Sequence, residues 1–358
     1  MARHLVNFLI LPATFLAVAV GSWAFMNRSD SVGTNSPFGA CWSKTGSAAQ
    51  IDCTSALILK DVSRKAVDPA RREAAVFAVV RDTERFAASD PQLSQACHSA
   101  MHPVGRAEGA RYAKAGSPPK FPDGASQLCT AGYVHGVAEG YLASSTDPDV
   151  AAVFPKLCHQ ADAREGCAHG IGHALLKARS DRPVTTSVSL AAERCRELPA
   201  EFPTNCLNGV YMELALRREP TAIAPADFVR ACEANADAAD ALTCWGYLVQ
   251  NLNTNDVSLA DMPKWCARPT LPGQYTCVEE YGRMLGSRDV AMCAASSDRD
   301  GLQRRCIEGA IGLQVGSGHV SKRDASAACD TIDEADLAAH CHSAVVRYSR
   351  GREQVEAA

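Results

Sequence analysis

The sequence predicts an all-α fold, a right-handed αα-repeat solenoid of two-helix repeats stapled by short-range disulfides, either open or closing into a toroid. Three observations predict it. The 16 cysteines fall into eight couples along the chain. The second members of these couples recur at intervals of 38, 39, 38, 33, 29 and 35 residues from Cys129 to Cys341, the period of a two-helix unit that stacks on its neighbours. Between the couples the chain is rich in alanine, with Asp, Pro or Ser near the starts of apolar segments and almost no alternation of apolar and polar positions, so helices are expected and strands are not.

The elements follow in order. Leu5 to Met26 is the one stretch apolar and long enough to span a bilayer, and Arg3 and His4 precede it. Residues 1–26 therefore read as a signal peptide or, since the stretch is long for a signal and adequate for a span, a retained membrane anchor. Either way the remainder is exported, to the periplasmic or extracellular face. Residues 27–40, rich in Ser, Asn and Gly, read as a flexible linker, residues 41–96 as an N-terminal helical cap, 97–215 as histidine-rich repeats, 216–350 as C-terminal stapled repeats and 351–358 as a tail.

The composition sets further bounds. A net charge of -4 from 36 basic and 40 acidic side chains, with 47% hydrophobic residues, excludes a disordered chain and a polybasic nucleic-acid binder. The cysteine count fits an oxidising compartment. No Cys-x-x-Cys occurs, which argues against zinc ribbons, thioredoxin-type redox sites and c-type haem attachment. Seven couples, Cys41/Cys53, Cys158/Cys167, Cys195/Cys206, Cys232/Cys244, Cys266/Cys277, Cys293/Cys306 and Cys329/Cys341, are 9 to 13 residues apart, and Cys97/Cys129 is wider. Closing a loop of about 12 residues contributes on the order of 2–3 kcal/mol through the unfolded state, so the staples substitute for large side chains in an aromatic-poor core.

Each second cysteine opens a similar apolar segment, and a glycine follows three residues later at Gly132, Gly170, Gly209 and Gly309, a small residue that lets neighbouring helices approach. On this register the chemistry appears. After Cys97 come His98 and His102, after Cys129 His135 and Glu139, after Cys167 His169 and His173. Each couple is an i, i+4 pair, which places both side chains on one helix face about one turn apart, as two ligands of one ion require. His135 and His173 stand three residues beyond their glycines, as does Met212 in the next repeat, and Asn208 shares a row with His98 and His169. Five imidazoles and one carboxylate favour copper, zinc or iron over magnesium or calcium, with one or two ions per chain.

The metal ligands expected are His98, His102, His135, Glu139, His169 and His173. Glu139, the only acid in the ladder, is the candidate proton acceptor, because neither His-Glu-x-x-His nor His-x-x-Glu-His is present. Arg106 could pair with Glu139 or an anion, while His159, His340, His342, Met212, Tyr133 and Tyr141 read more simply as surface or packing residues. The sequence thus points to a metalloprotein, with a metal-dependent oxidoreductase the first enzyme class to consider. Two rivals stay open: a solenoid that offers a concave face to a protein partner without catalysis, and a metal carrier or sensor.

Overall fold

A computed structural model describes residues 37–45, 47–87, 90–145, 148–217, 222–234, 238–296, 301–316 and 320–356. The expected anchor and residues 27–36 of the expected linker lie outside them. Among the described residues there is helix and no strand, no cysteine is free, and no helix is long and apolar enough to cross a membrane. The chain divides between Asp256 and Val257 into two compact units.

The first unit contains α1 (Gly39–Trp42), α2 (Ser47–Lys65), α3 (Arg72–Ala87), α4 (Pro91–Lys114), α5 (Gly132–Leu142), α6 (Val150–Leu157), α7 (Arg164–Lys177), α8 (Val184–Cys195), α9 (Pro203–Ala215), α10 (Pro225–Ala234) and α11 (Ala238–Thr254). One row of helices packs in series, α2 on α4, then α5, α7, α9 and α11, and a second row covers it, α3 on α4, α6 on α7, α8 on α9 and α10 on α11. The second unit contains α12 (Met262–Cys266), α13 (Leu271–Leu285), α14 (Leu302–Gly316), α15 (Lys322–Cys329) and α16 (Ala335–Glu356). There α13, α14 and α16 pack in series, with α12 on α13, the short 3-10 turn Val290–Ala295 on α14 and α15 on α16. At the end of the segment expected as a linker, Phe38 is buried and meets Phe86 edge-on at 6.2 Å.

The disulfides follow the spacing of the sequence. Seven span 9 to 13 residues and tie a covering helix or turn to the inner helix that follows it. Cys97–Cys129, which spans 32 residues, differs in kind. Cys97 lies inside α4 and Cys129 in the turn Leu128–Ala131 before α5, so this bridge joins two inner helices and staples no covering helix. The reading of every couple as one helix pair is corrected at this place.

Glycine sets the separation of the inner row. A Cβ on Gly132 would land on the main-chain carbonyl of His98, one on Gly136 on that of His102, one on Gly170 on that of His135 and one on Gly209 on that of His169. Each helix thus rests its glycine against the backbone of a histidine on the helix before it, closer than any Cβ allows. This contact draws the three histidine-bearing helices together.

Candidate metal centre

Three consecutive inner helices build the site. α4 starts at Pro91 behind Asp90, whose carboxylate accepts the N–H groups of Gln92 and Leu93, a cap that satisfies two otherwise unpaired donors. It carries His98, His102 and Arg106. α5 carries His135 and Glu139, α7 carries His169, His173 and Lys177, and α9 adds Glu213 from the far side.

α5 is entered through strained backbone. Cys129, Thr130 and Ala131 have φ of 46°, 50° and 64°, a left-handed conformation that costs on the order of 1–2 kcal/mol per residue with a Cβ. The turn is held by the Cys97–Cys129 bridge and by Glu84, which accepts the N–H of Cys129 at 2.5 Å. Its consequence is that the Thr130 carbonyl lies 3.0 Å from His98 Nδ1. Thr130→Gly removes a half-exposed side chain but keeps that carbonyl, so strain relief should outweigh the entropy of glycine. Stability is expected to rise by about 0.5–1 kcal/mol, read from urea unfolding.

The hydrogen-bond partners of the rings determine where their lone pairs point. A carbonyl only accepts, so His98 carries its proton on Nδ1 and its lone pair on Nε2. Burial would raise the carboxyl of Glu139, but His102, His173 and Lys177 outweigh it and hold the group well below the usual carboxylate range. As a carboxylate it accepts from His102 Nδ1 at 2.6 Å, and from Arg106 at 3.1 Å and Lys177 at 2.5 Å. Glu213 does the same for His173 Nδ1 at 3.0 Å; burial pushes its carboxyl up, and the His173 hydrogen bond and the charge of Lys177 bring it below the ordinary value. Three rings therefore present Nε2 lone pairs inward. Those of His98 and His102 face each other at 3.2 Å.

Two lone pairs at that distance repel unless a cation lies between them. A proton is disfavoured, since burial first and the neighbouring His102 second push His98 down to about 3, and burial outweighs Glu139 in lowering His102. A metal ion is the other candidate. Two nitrogens bound at about 2.0–2.1 Å to one tetrahedral ion stand about 3.3 Å apart, close to the spacing present.

The other rings complete the cluster. Centroid separations are 5.0 Å for His98–His102, 4.9 Å for His98–His135, 5.3 Å for His102–His173 and 5.0 Å for His169–His173, near the roughly 5 Å of two imidazoles on one tetrahedral ion. His135 stacks on His169 at 4.3 Å with 16° between the planes. His135 Nδ1, His169 Nε2 and His173 Nε2 are buried without a hydrogen-bond partner. Burial, followed by repulsion from the other imidazoles, pushes His135 and His169 well below the ordinary histidine value. Three groups could hold an ion, His98/His102/His135, His135/His169/His173 and His102/Glu139/His173, the ligand atoms of each lying within 4.8 Å of one another. A fourth, Glu84/Cys97/Cys129, fails chemically because its sulfurs are joined in a disulfide.

All six expected ligands thus meet in one place, five of them buried and His169 half-buried. Met212 and Asn208 are buried on α9. His159 is exposed on the carbonyl of Lys156, and in the second unit His340 lies 3.4 Å from Glu308 and His342 3.0 Å from Asp330. Sequence reasoning missed Glu213, Lys177 and the Thr130 carbonyl. Lys177 follows His173 at i+4, as Arg106 follows His102, so the helical period could have found it; nothing local marks the other two. No family model, curated protein or solved structure matches this chain.

Proposed function

We propose that the protein is an exported metalloprotein that holds copper, zinc or iron among His98, His102, His135, His169 and His173, and that it is a metal-dependent enzyme, an oxidoreductase in the first instance. The observation that carries the metal reading is the pair of inward Nε2 lone pairs on His98 and His102 at 3.2 Å. An all-imidazole set in dry surroundings suits these three metals. Triads of three nitrogens leave a fourth position for a substrate, as catalytic sites do. Glu139, expected as ligand or proton acceptor, is engaged by His102, Arg106 and Lys177. The reading therefore gives it and Glu213 the task of fixing ring tautomer and orientation from behind the ligands.

Eight disulfides support an oxidising compartment, to which residues 5–26 would deliver and tether the chain. The serial packing of inner helices in each unit supports an αα-repeat solenoid. A partner-binding scaffold without a metal leaves the facing lone pairs unexplained, and a carrier would exchange its ion without turnover.

Elemental analysis of the purified, untagged protein beside a His98→Ala/His102→Ala variant tests the reading. One or two equivalents of copper, zinc or iron are expected in the parent, with at least one lost from a variant of unchanged helicity. No metal in the parent overturns it.

A further inference from the structure

We propose that the centre holds two ions bridged by the imidazole ring of His135. The inference rests on the metal reading above and adds the number of ions and how they are linked. His135 is the one residue common to the His98/His102/His135 and His135/His169/His173 groups, and no group of ligand atoms within 4.8 Å contains both His98 and His169. Nitrogens on a single tetrahedral ion need to lie about 3.3 Å apart, so one ion cannot collect both ends of the cluster.

The hydrogen bonds leave that ring free for the task, as they do His169 at one end of the cluster. His98, His102 and His173 each commit Nδ1 to a carbonyl or carboxylate and keep one nitrogen for metal. His135 is 4% exposed, and its Nδ1 is buried without a hydrogen-bond partner. Whether that nitrogen carries the proton or the lone pair, it is left buried and unsatisfied, at a cost on the order of 1–3 kcal/mol. Bridging removes the cost: one nitrogen serves the ion held by His98 and His102, the other serves the ion held by His169 and His173, and the displaced proton leaves to solvent. For the second ion the His135 and His169 rings must turn out of their stack, and no hydrogen bond holds either in it. Each ion then has three protein nitrogens and one open position, the arrangement of catalytic centres.

The test is titration of the metal-stripped full chain with Cu(II), read by bound copper and by electron paramagnetic resonance, with far-UV circular dichroism as the folding control. Two equivalents are expected with a half-field transition and an integrated signal well below two spins per chain. His98→Ala and His169→Ala are each expected to keep one equivalent with a full uncoupled spin, so the bridge remains testable even if a His135 variant does not fold. One equivalent in the parent, or two that integrate to two independent spins, overturns the bridge and leaves the metal reading standing. No bound copper overturns both.

Discussion

Unfolding of the metal-free protein takes up at least three protons as the pH falls below 6.5, the ordinary histidine value, one each at His98, His135 and His169, and His102 adds to them. Above that value the imidazoles are neutral in both states and stability is flat. Below it the unfolded chain protonates while the folded one resists, because burial holds His135 and His169 well below 6.5 and His98 down at about 3. The unfolded state then binds more protons, so stability is lost as pH falls, by up to about 4 kcal/mol per pH unit when all three groups are linked. Glu139 and Glu213, whose folded values lie below 4.5, contribute stability that is present above 4.5 and add a loss of the same sign at lower pH. Urea unfolding in chelator at stepped pH reads the slope. A stability independent of pH from about 7 to 5 would show that the rings are solvated and do not form a dry cluster.

Gly136→Ala is expected to damage the centre severely by the addition of a single methyl group. Its Cβ would fall on the main-chain carbonyl of His102 and within 2.9 Å of Gly105 Cα, backbone that cannot rotate away. Alanine's better helix propensity, worth about 1 kcal/mol, is overwhelmed by separation of α4 from α5, and a net loss of about 2–3 kcal/mol follows. The same separation moves His98 and His102 from His135, so metal content should fall with the melting temperature. Gly116→Ala is the control, since a Cβ there meets nothing within 4 Å and only its positive φ resists. Equal effects in the two variants would dismiss close helix approach as the cause.

Much of this was legible in the sequence, for identifiable reasons. Cysteine spacing reveals the staples because a bridge of 9 to 13 residues can join only adjacent elements. The histidine ladder was legible because glycine and histidine share one helical register, and the structure shows the two to be physically joined, Gly170 lying on His135 and Gly209 on His169. What could not be read depends on tertiary geometry. Glu213 reaches His173 across 40 residues, and an acid beside Met212 looks like any solvated helix position. The left-handed run at Cys129–Ala131 has no glycine to announce it. It exists because a bridge between two inner helices, in place of one within a helix pair, holds the turn there.

That bridge also dictates an order of assembly. Before oxidation the chain offers 16 thiols, and thiolates bind copper and zinc in preference to imidazoles. The carbonyl that orients His98 belongs to the turn that the Cys97–Cys129 bridge closes. Metal supplied to the newly made chain would therefore be captured by the wrong donors and would block the staples that the fold requires. On the metal reading proposed above, productive loading comes last, after oxidation is complete.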